Sequence, residues 1–384
     1  MFFHSVLFQS ALLFSGSILS PWAVRTNATI HHTRELIARA GCNNHKSVEE
    51  KKRCLKTIPM ERLRRIENKF YKDKEESLYE MYRMGCAVFT PVIDSFLGSD
   101  SLIPSPGEEL MRRRAKIPTL ISYTADERIM ATKQLVENES ETRRLGEHIL
   151  PQIIDPQSAG KVEHITALLN RYFNGSVYST KGEFEGALHR CTNGEQFASF
   201  HQEALHYTEN GVPVYMIKSD IYNGTAPTNH GVDVWILFEC FDAVKKTDEG
   251  EGWNVSTWGH LLPYRNRLAD IIADFVYNRS SSSLTAFSPL RRVSNRLTVT
   301  GKDVVDAEMD DYYFWRQTLP ALTAIVESPI FPIIQRKILC SDSTPYELPF
   351  YVATTLLIGS MILSLVLFTH RKRRISRDRR VRGP

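Results

Sequence analysis

Several patterns that would assign this chain to a common class of protein are missing from its sequence. No two of the six cysteines have the CxxC spacing of zinc fingers, so we expect no structural zinc site of that kind. No repeat of about 20 to 50 residues is visible, and the one low-complexity stretch is the serine run at 280–283. These absences argue against metal-stapled and repeat architectures.

Excess positive charge is also missing, except at the C-terminus. The chain has a formal net charge of +4, and residues 371–384 hold eight Arg or Lys and one Asp, a net of +7. The remaining residues therefore carry 4 − 7 = −3. We expect no nucleic-acid partner, because the net positive charge of the chain comes from one tail. The composition, 42% hydrophobic and 24% charged, is typical of one large globular domain, expected over 1–346.

A long stretch near the C-terminus has no charged residue. Residues 348–369 contain no Asp, Glu, Lys or Arg, and a helix needs about 20 residues to cross a hydrocarbon core of roughly 30 Å. A buried core helix is the alternative, but the basic residues that follow favour the membrane. The pattern predicts a transmembrane helix over 347–369 and a basic cytoplasmic tail over 370–384, which anionic lipid of the inner leaflet would attract.

Potential glycosylation sites agree with this orientation, a single-pass type I topology with the ectodomain extracellular or luminal. Six Asn-x-Ser/Thr sequons precede the apolar stretch and none follows it. They are Asn27, Asn138, Asn174, Asn223, Asn254 and Asn278. The apolar first 20 residues could also be a signal peptide, although no Lys or Arg precedes the apolar run.

Short apolar runs alternate with helical patterns along the chain. The runs at 11–14, 119–123 and 214–217 are bounded by Pro, Gly or polar residues, as in strands buried on both faces. Apolar residues recur at three- and four-residue spacing over 32–40, 60–70, 126–146 and 265–276. Strands separated by helices predict an α/β fold with a mostly parallel sheet.

An ordered set of motifs resembles the type B carboxylesterase and cholinesterase family. The set comprises LFQSALLFSGS at 7–17 with LSPWA at 19–23; FTPVID at 89–94 with PGEEL at 106–110; IPTLI at 117–121 leading to Asp126-Glu127; NHGVD at 229–233; and Phe314-Trp315 with Leu319-Pro320. The resemblance covers roughly 7–322. It implies the C-terminal part of an α/β-hydrolase fold.

By position, the resemblance implies that Glu127 is the acid and His230 the general base of a Ser-Glu-His triad. Imidazole can accept a serine proton near neutral pH, and a carboxylate fixes its tautomer and stabilises the imidazolium. The order of acid before histidine is that of α/β-hydrolases. One departure is Arg128, where the family usually has Gly; this cation could pair with Glu127 and draw it away from the histidine.

The nucleophile of such a triad is missing. No stretch of the chain has the G-x-S-x-G pattern of the nucleophile elbow. In the family the elbow lies shortly before the block matched here by 7–17, so we expect it upstream of Met1, with the glycine-rich oxyanion loop further upstream. The sequence is then expected to be a truncated product that is inactive by itself. Serine hydrolysis needs no cofactor, and none is expected.

The resemblance also bears on the cysteines. Cys42 and Cys54 lie where the family closes a small loop by a disulfide, which an extracellular location permits. The family partner of Cys191 lies just before the Phe-Trp pair, where this chain has no cysteine, so that bridge is doubtful. Cys86, Cys240 and Cys340 also remain unassigned.

Three functions are compatible with the sequence. The first is a membrane-anchored serine ester hydrolase acting on an ester substrate. The second is a non-catalytic, neuroligin-like adhesion receptor that binds an extracellular protein partner, because such relatives share the fold and have one C-terminal span. The third is a remnant of the secretory pathway that begins with a signal peptide. Fold alone does not decide between them.

Overall fold

A computed structural model of the chain describes eleven segments of the protein. They are residues 8–20, 23–24, 26–72, 89–113, 116–127, 161–173, 180–209, 211–221, 228–240, 258–307 and 309–326. The chain divides into two compact units, Met1–Leu322 and Thr323–Pro384. The first unit contains the sheet and the candidate site. Of the second, only 323–326 lie within the described segments.

A six-stranded mixed sheet forms the centre of the first unit. Its strands are β1 (Ala11–Phe14), β2 (Thr119–Thr124), β3 (Val214–Ser219), β4 (Ala286–Phe287), β5 (Val293–Leu297) and β6 (Lys302–Asp306). The order is β1-β2-β3-β5-β6, and β4 pairs with β3 off this path. The pairs β1/β2, β2/β3 and β3/β5 are parallel, whereas β3/β4 and β5/β6 are antiparallel.

Helices connect and cover the strands. The α-helices are α1 (Thr26–Arg39), α2 (Val48–Thr57), α3 (Met60–Lys72), α4 (Gly107–Arg112), α5 (Lys161–Tyr172), α6 (Lys181–Glu209), α7 (Val232–Phe238), α8 (Trp258–Asn278), α9 (Met309–Tyr313) and α10 (Leu319–Val326). A 3₁₀ turn lies at Ser95–Asp100 and a π-helical turn at Phe314–Thr318.

The two faces of the sheet are buried by different helices. Alternate residues of β2 point to opposite sides of the sheet. Leu120 packs against residues of α7 and α8, whereas Ile121 packs against residues of α6. Tyr264 of α8 and Phe200 of α6 are almost completely buried in these two layers. This three-layer arrangement explains why β2 is buried at all six positions.

The predicted α/β class is confirmed, with differences in detail. The strand predicted over 11–14 has the same bounds as β1, and the other two predicted strands continue to Thr124 and Ser219. No pattern in the sequence predicts β4, β5 and β6, because β4 has only two residues and the other two strands carry polar residues such as Asn295 in β5 and Lys302 in β6. The helix predicted from Asp126 does not begin there, since Asp126 and Glu127 lie in the turn after β2; from Arg128 to 146 it lies outside the described residues.

Within the described residues, no helix is long and apolar enough to cross a membrane. The predicted span over 347–369 and the basic tail over 370–384 lie outside those residues.

Residues 26–72 form a small helical unit, which we call the disulfide module. Cys42 and Cys54 are joined by a disulfide, the pairing that the resemblance implies. Cys42 is fully buried and packs with Ala40 and Ile66, so the bridge lies in the core between α1, α2 and α3. Ser47 begins α2 with a capping box: its hydroxyl accepts a hydrogen bond from the Glu50 backbone N–H, and Glu50 accepts one from the Ser47 N–H.

We predict that removing this disulfide destabilises the protein. The bridge spans 12 residues, and the chain-entropy relation assigns a loop of that size about 3 kcal/mol of unfolding free energy. The double variant Cys42→Ala, Cys54→Ala should lose about that much in denaturant unfolding. Cys240→Ala, at an exposed free thiol, is the matched control and should change little. Free thiols at both Cys42 and Cys54 in peptides mapped without reductant would contradict the pairing.

Candidate active site

The two residues singled out by the sequence meet at the carboxyl end of the sheet. Glu127 follows β2 by three residues, and His230 lies in the segment between β3 and α7. An isolated parallel bridge between Asp126 and Asn229 holds the two segments side by side. Nδ1 of His230 lies 2.6 Å from Oε2 of Glu127, although 103 residues separate them in sequence.

The Glu127 carboxylate is buried and has a partner at each oxygen. Its side chain is 1% exposed, whereas that of His230 is 53% exposed. Oε1 accepts hydrogen bonds from the Ser15 hydroxyl at 2.6 Å and from the Thr124 backbone N–H at 2.7 Å. Oε2 is left for His230, whose Nδ1–H we assign as the donor, because an ionised carboxylate can only accept.

These contacts set the protonation state of Glu127. Burial raises the pKa of this carboxyl, but the hydrogen bond and positive charge of His230, with the hydrogen bonds from Ser15 and Thr124, outweigh it. The net result is a pKa below the usual value of 4.5. Glu127 is therefore ionised at neutral pH in spite of its burial.

Ser15 contributes to the site through an unusual backbone conformation. Its φ is +48°, in the left-handed region that residues other than glycine seldom adopt. Its N–H still donates to the Ser122 carbonyl at 2.8 Å, which continues the pairing of β1 with β2. The bend that follows turns the hydroxyl toward Glu127. Sequence reasoning did not find this role, since nothing in the SGS tripeptide distinguishes Ser15 from Ser17.

Three other segments fix the turn that carries Glu127. The Asn193 side chain of α6 donates to the Ala125 carbonyl at 3.0 Å, and the Ala125 N–H donates to the Ser219 carbonyl at the end of β3. The Asp126 carboxylate accepts from the Thr228 N–H at 3.1 Å, while the Asp126 N–H donates to the Thr228 carbonyl at 3.0 Å. The acid and histidine segments are thus tied together next to the Glu127–His230 contact.

Gly231 lets the chain turn sharply after His230. Its φ is +80°, a conformation that costs glycine little because it has no Cβ. It is the N-cap residue of α7, which begins at Val232. His230 is consequently held at the start of a helix rather than in a long loop.

A second buried carboxyl lies beneath the pair. Asp233 has no exposed surface, and it accepts hydrogen bonds from the Ser122 hydroxyl at 2.8 Å and from the Val234 N–H at 2.9 Å. Burial raises its pKa from 3.8 to about 6, and the negative charge of Glu127 adds to this rise. The two carboxyls therefore differ in environment: Glu127 is stabilised as an anion, whereas Asp233 resists ionisation.

We predict that Asp233→Asn alters the pH dependence of stability. Because the folded-state pKa is raised, the unfolded state loses its proton first, and the wild-type protein loses stability as pH rises from about 4 to 7. Asparagine does not titrate, its Oδ1 can accept from the Val234 N–H, and its Nδ2–H can donate to the Ser122 hydroxyl oxygen. Relative to wild type, the variant should gain up to about 3 kcal/mol of unfolding free energy between pH 4 and pH 7.

Denaturant unfolding at several pH values measures this difference. The exposed Asp100→Asn is the control, since it removes one carboxyl at the surface of the protein. A stability difference between Asp233→Asn and wild type that stays constant over the pH range would contradict the prediction.

A cavity lies along β1. It measures about 1280 Å³, and its walls come from 12–18 of β1 and the following loop, from 98–117 and from Glu203. Neither Glu127 nor His230 lines it, so its location alone does not connect it with the acid–histidine pair.

Some of the other residues predicted from sequence lie within the described segments, and the rest do not. Asn278 is exposed at the end of α8, and the backbone of Asn27 lies in α1. The remaining four sequon asparagines, Arg128, Cys86 and Cys340 lie outside the described residues. Cys191 is free and buried, and Cys240 is free and exposed. Among the described residues, no group of three or more His, Cys, Asp or Glu side chains could hold a metal ion.

A partly parallel sheet covered by helices on both faces, with a carboxylate and a histidine in contact at its carboxyl end, fits an α/β-hydrolase domain. Comparison of the sequence with known families agrees: residues 3–252 match the family described as the carboxylesterase family. The chain therefore belongs to the carboxylesterase family. No curated protein matches the chain significantly.

Proposed function

We propose that this protein is a membrane-anchored carboxylic ester hydrolase in which Glu127 is the acid and His230 the general base. The observation that carries the proposal is the 2.6 Å contact between the buried Glu127 carboxylate and His230 Nδ1. With Nδ1–H held by the carboxylate, Nε2 is the nitrogen suited to take a proton. The carboxylate would then stabilise the imidazolium that forms, as ester cleavage by a serine requires.

We further propose that the nucleophile is a serine outside these 384 residues. The chain has no G-x-S-x-G stretch. Ser15 is the serine in contact with the acid, but its hydroxyl donates to Glu127 Oε1, and only 3% of the residue is exposed. This position suits a residue that orients the carboxylate rather than one that attacks an ester.

The proposal predicts that the 384-residue chain does not react with a fluorophosphonate probe. A triad acts as a unit, so acid and base without a nucleophile cannot form an acyl-enzyme. A form extended upstream through an elbow serine, if the transcript encodes one, should be labelled. His230→Ala should abolish that labelling, and Glu127→Gln should slow it by roughly 10³–10⁴-fold.

His260→Ala is the matched control, because His260 is exposed in α8 and should leave labelling unchanged. Labelling of the 384-residue chain that disappears in His230→Ala would overturn the external-serine proposal. If the extended form carries an elbow serine and still fails to react, the non-catalytic adhesion receptor becomes the better account. That alternative is supported by the uncharged stretch at 348–369, because adhesion receptors of this kind have one C-terminal span.

We also propose a type I topology, supported by the uncharged stretch at 348–369 and the basic residues after it. Protein from a secretory host should stay in membranes on alkaline carbonate extraction and gain mobility on treatment with an N-glycosidase. Asn278→Gln should remove one glycan, because Asn278 is exposed and lies in a sequon. Asn68→Gln, at an exposed asparagine without a sequon, should not change the mobility. Release by carbonate, or no mobility shift, would contradict the topology.

A further inference from the structure

Positive charge is concentrated in the disulfide module as well as in the tail. Residues 46–69 contain nine Lys or Arg and four Glu, a net of +5. With the whole chain at +4 and residues 371–384 at +7, everything else carries 4 − 5 − 7 = −8. Outside residues 371–384 the chain is therefore acidic overall, although residues 46–69, which include α2 and most of α3, are strongly basic.

The helix geometry places these cations on the outer side of the module. In α2, Cys54 and Leu55 pack toward the core, and Lys52, Arg53 and Lys56 lie on the opposite side of the helix. In α3, Ile66 is buried, while Arg64, Arg65 and Lys69 are exposed. We call Lys52, Arg53, Lys56, Arg64, Arg65 and Lys69 the basic surface.

The neighbouring acids offset only part of the positive charge: residues 46–69 hold four glutamates, including Glu49 in α2 and Glu67 in α3, against nine Lys or Arg. The Glu50 carboxylate accepts the backbone N–H groups of Lys46 and Ser47 in the capping box, and these hydrogen bonds with Ser47 and Lys46 lower its pKa. Glu61 pairs with Arg64 at 3.5 Å, but both side chains are more than half exposed, so water and salt screen this pair. The segment keeps a net charge of +5 when all four of its glutamates are counted.

The module holds these charges on a defined scaffold. The Cys42–Cys54 disulfide joins the chain before α2 to α2 itself, and the Arg62 guanidinium donates to the Ala40 carbonyl at 3.5 Å, which links α3 to the end of α1. Lys52 and Lys56, like Arg65 and Lys69, are one helical turn apart, with about 5–6 Å between their Cβ atoms. The cations are thus closely and regularly spaced.

We propose that the basic surface binds a sulfated polysaccharide. A flexible chain with several sulfates per turn can meet several closely spaced cations at once, and each contact releases condensed counterions. The choice of a sulfated glycan over a nucleic acid rests on the proposed extracellular or luminal orientation, since polyanions on that side of a membrane are chiefly carbohydrate. The surface lies on α2 and α3, apart from the Glu127–His230 pair, so binding does not require esterase activity.

The test measures the affinity of the detergent-solubilised full chain for immobilised heparin at several salt concentrations. Because residues 371–382 would also bind heparin, all variants carry Gln in place of the eight tail cations. In that background, Lys52, Lys56, Arg64 and Lys69→Gln should lower heparin affinity at least roughly tenfold at 0.15 M salt and flatten its salt dependence. The matched control, Arg112, Arg279, Arg291 and Lys302→Gln, removes the same charge from exposed sites elsewhere and should retain affinity.

Each outcome decides the proposal separately from the esterase proposal. Binding to heparin that exceeds binding to unsulfated hyaluronan, and is lost only in the basic-surface variant, supports it. Equal losses in both variants would overturn it, because net charge alone would then explain binding. Binding to phosphatidylserine vesicles but not to heparin would also overturn it. Fluorophosphonate labelling has no part in this test, so failure of either proposal leaves the other to be judged by its own experiment.

Discussion

The arrangement of the candidate site depends on a single buried anion, the carboxylate of Glu127. An ionised carboxyl taken out of water is unfavourable unless donors replace its hydration. The Ser15 hydroxyl, the Thr124 amide and His230 supply those donors from three separate segments of the chain. Each segment must reach its position for the anion to be tolerated, so folding of the sheet and assembly of the site are coupled.

The sheet topology makes that assembly possible. Parallel strands β1, β2 and β3 are neighbours, and their carboxyl ends open at one edge, where Ser15, Glu127 and the segment before His230 emerge. The register of β1 with β2 aligns Phe14 with Ser122 and leaves Ser15 just past the last pair. A shift of one residue would move the Ser15 hydroxyl to the opposite face and leave Oε1 of Glu127 with one donor.

The sequence predicted the central strands and the acid–histidine pair better than their surroundings. Apolar runs such as 119–123 are visible because parallel strands are buried on both faces. β5 is not visible in this way: Asn295 is fully buried, and its side chain bonds to the carbonyls of Met216 and Thr285. Asp126, Asn193 and Asp233 act through contacts with segments distant in sequence, and no local pattern reveals such contacts.

At Ser15, an unstrained backbone and a well-oriented Glu127 carboxylate require different residues. A non-glycine residue in that region costs roughly 1–3 kcal/mol, and glycine would avoid most of the strain. Glycine would also remove the hydroxyl that orients the carboxylate. Backbone strain alone would favour glycine at position 15, while hydrogen bonding to the buried Glu127 carboxylate favours serine. The protein has serine, which keeps a hydrogen-bond donor on the Glu127 carboxylate and leaves the backbone strained at this turn.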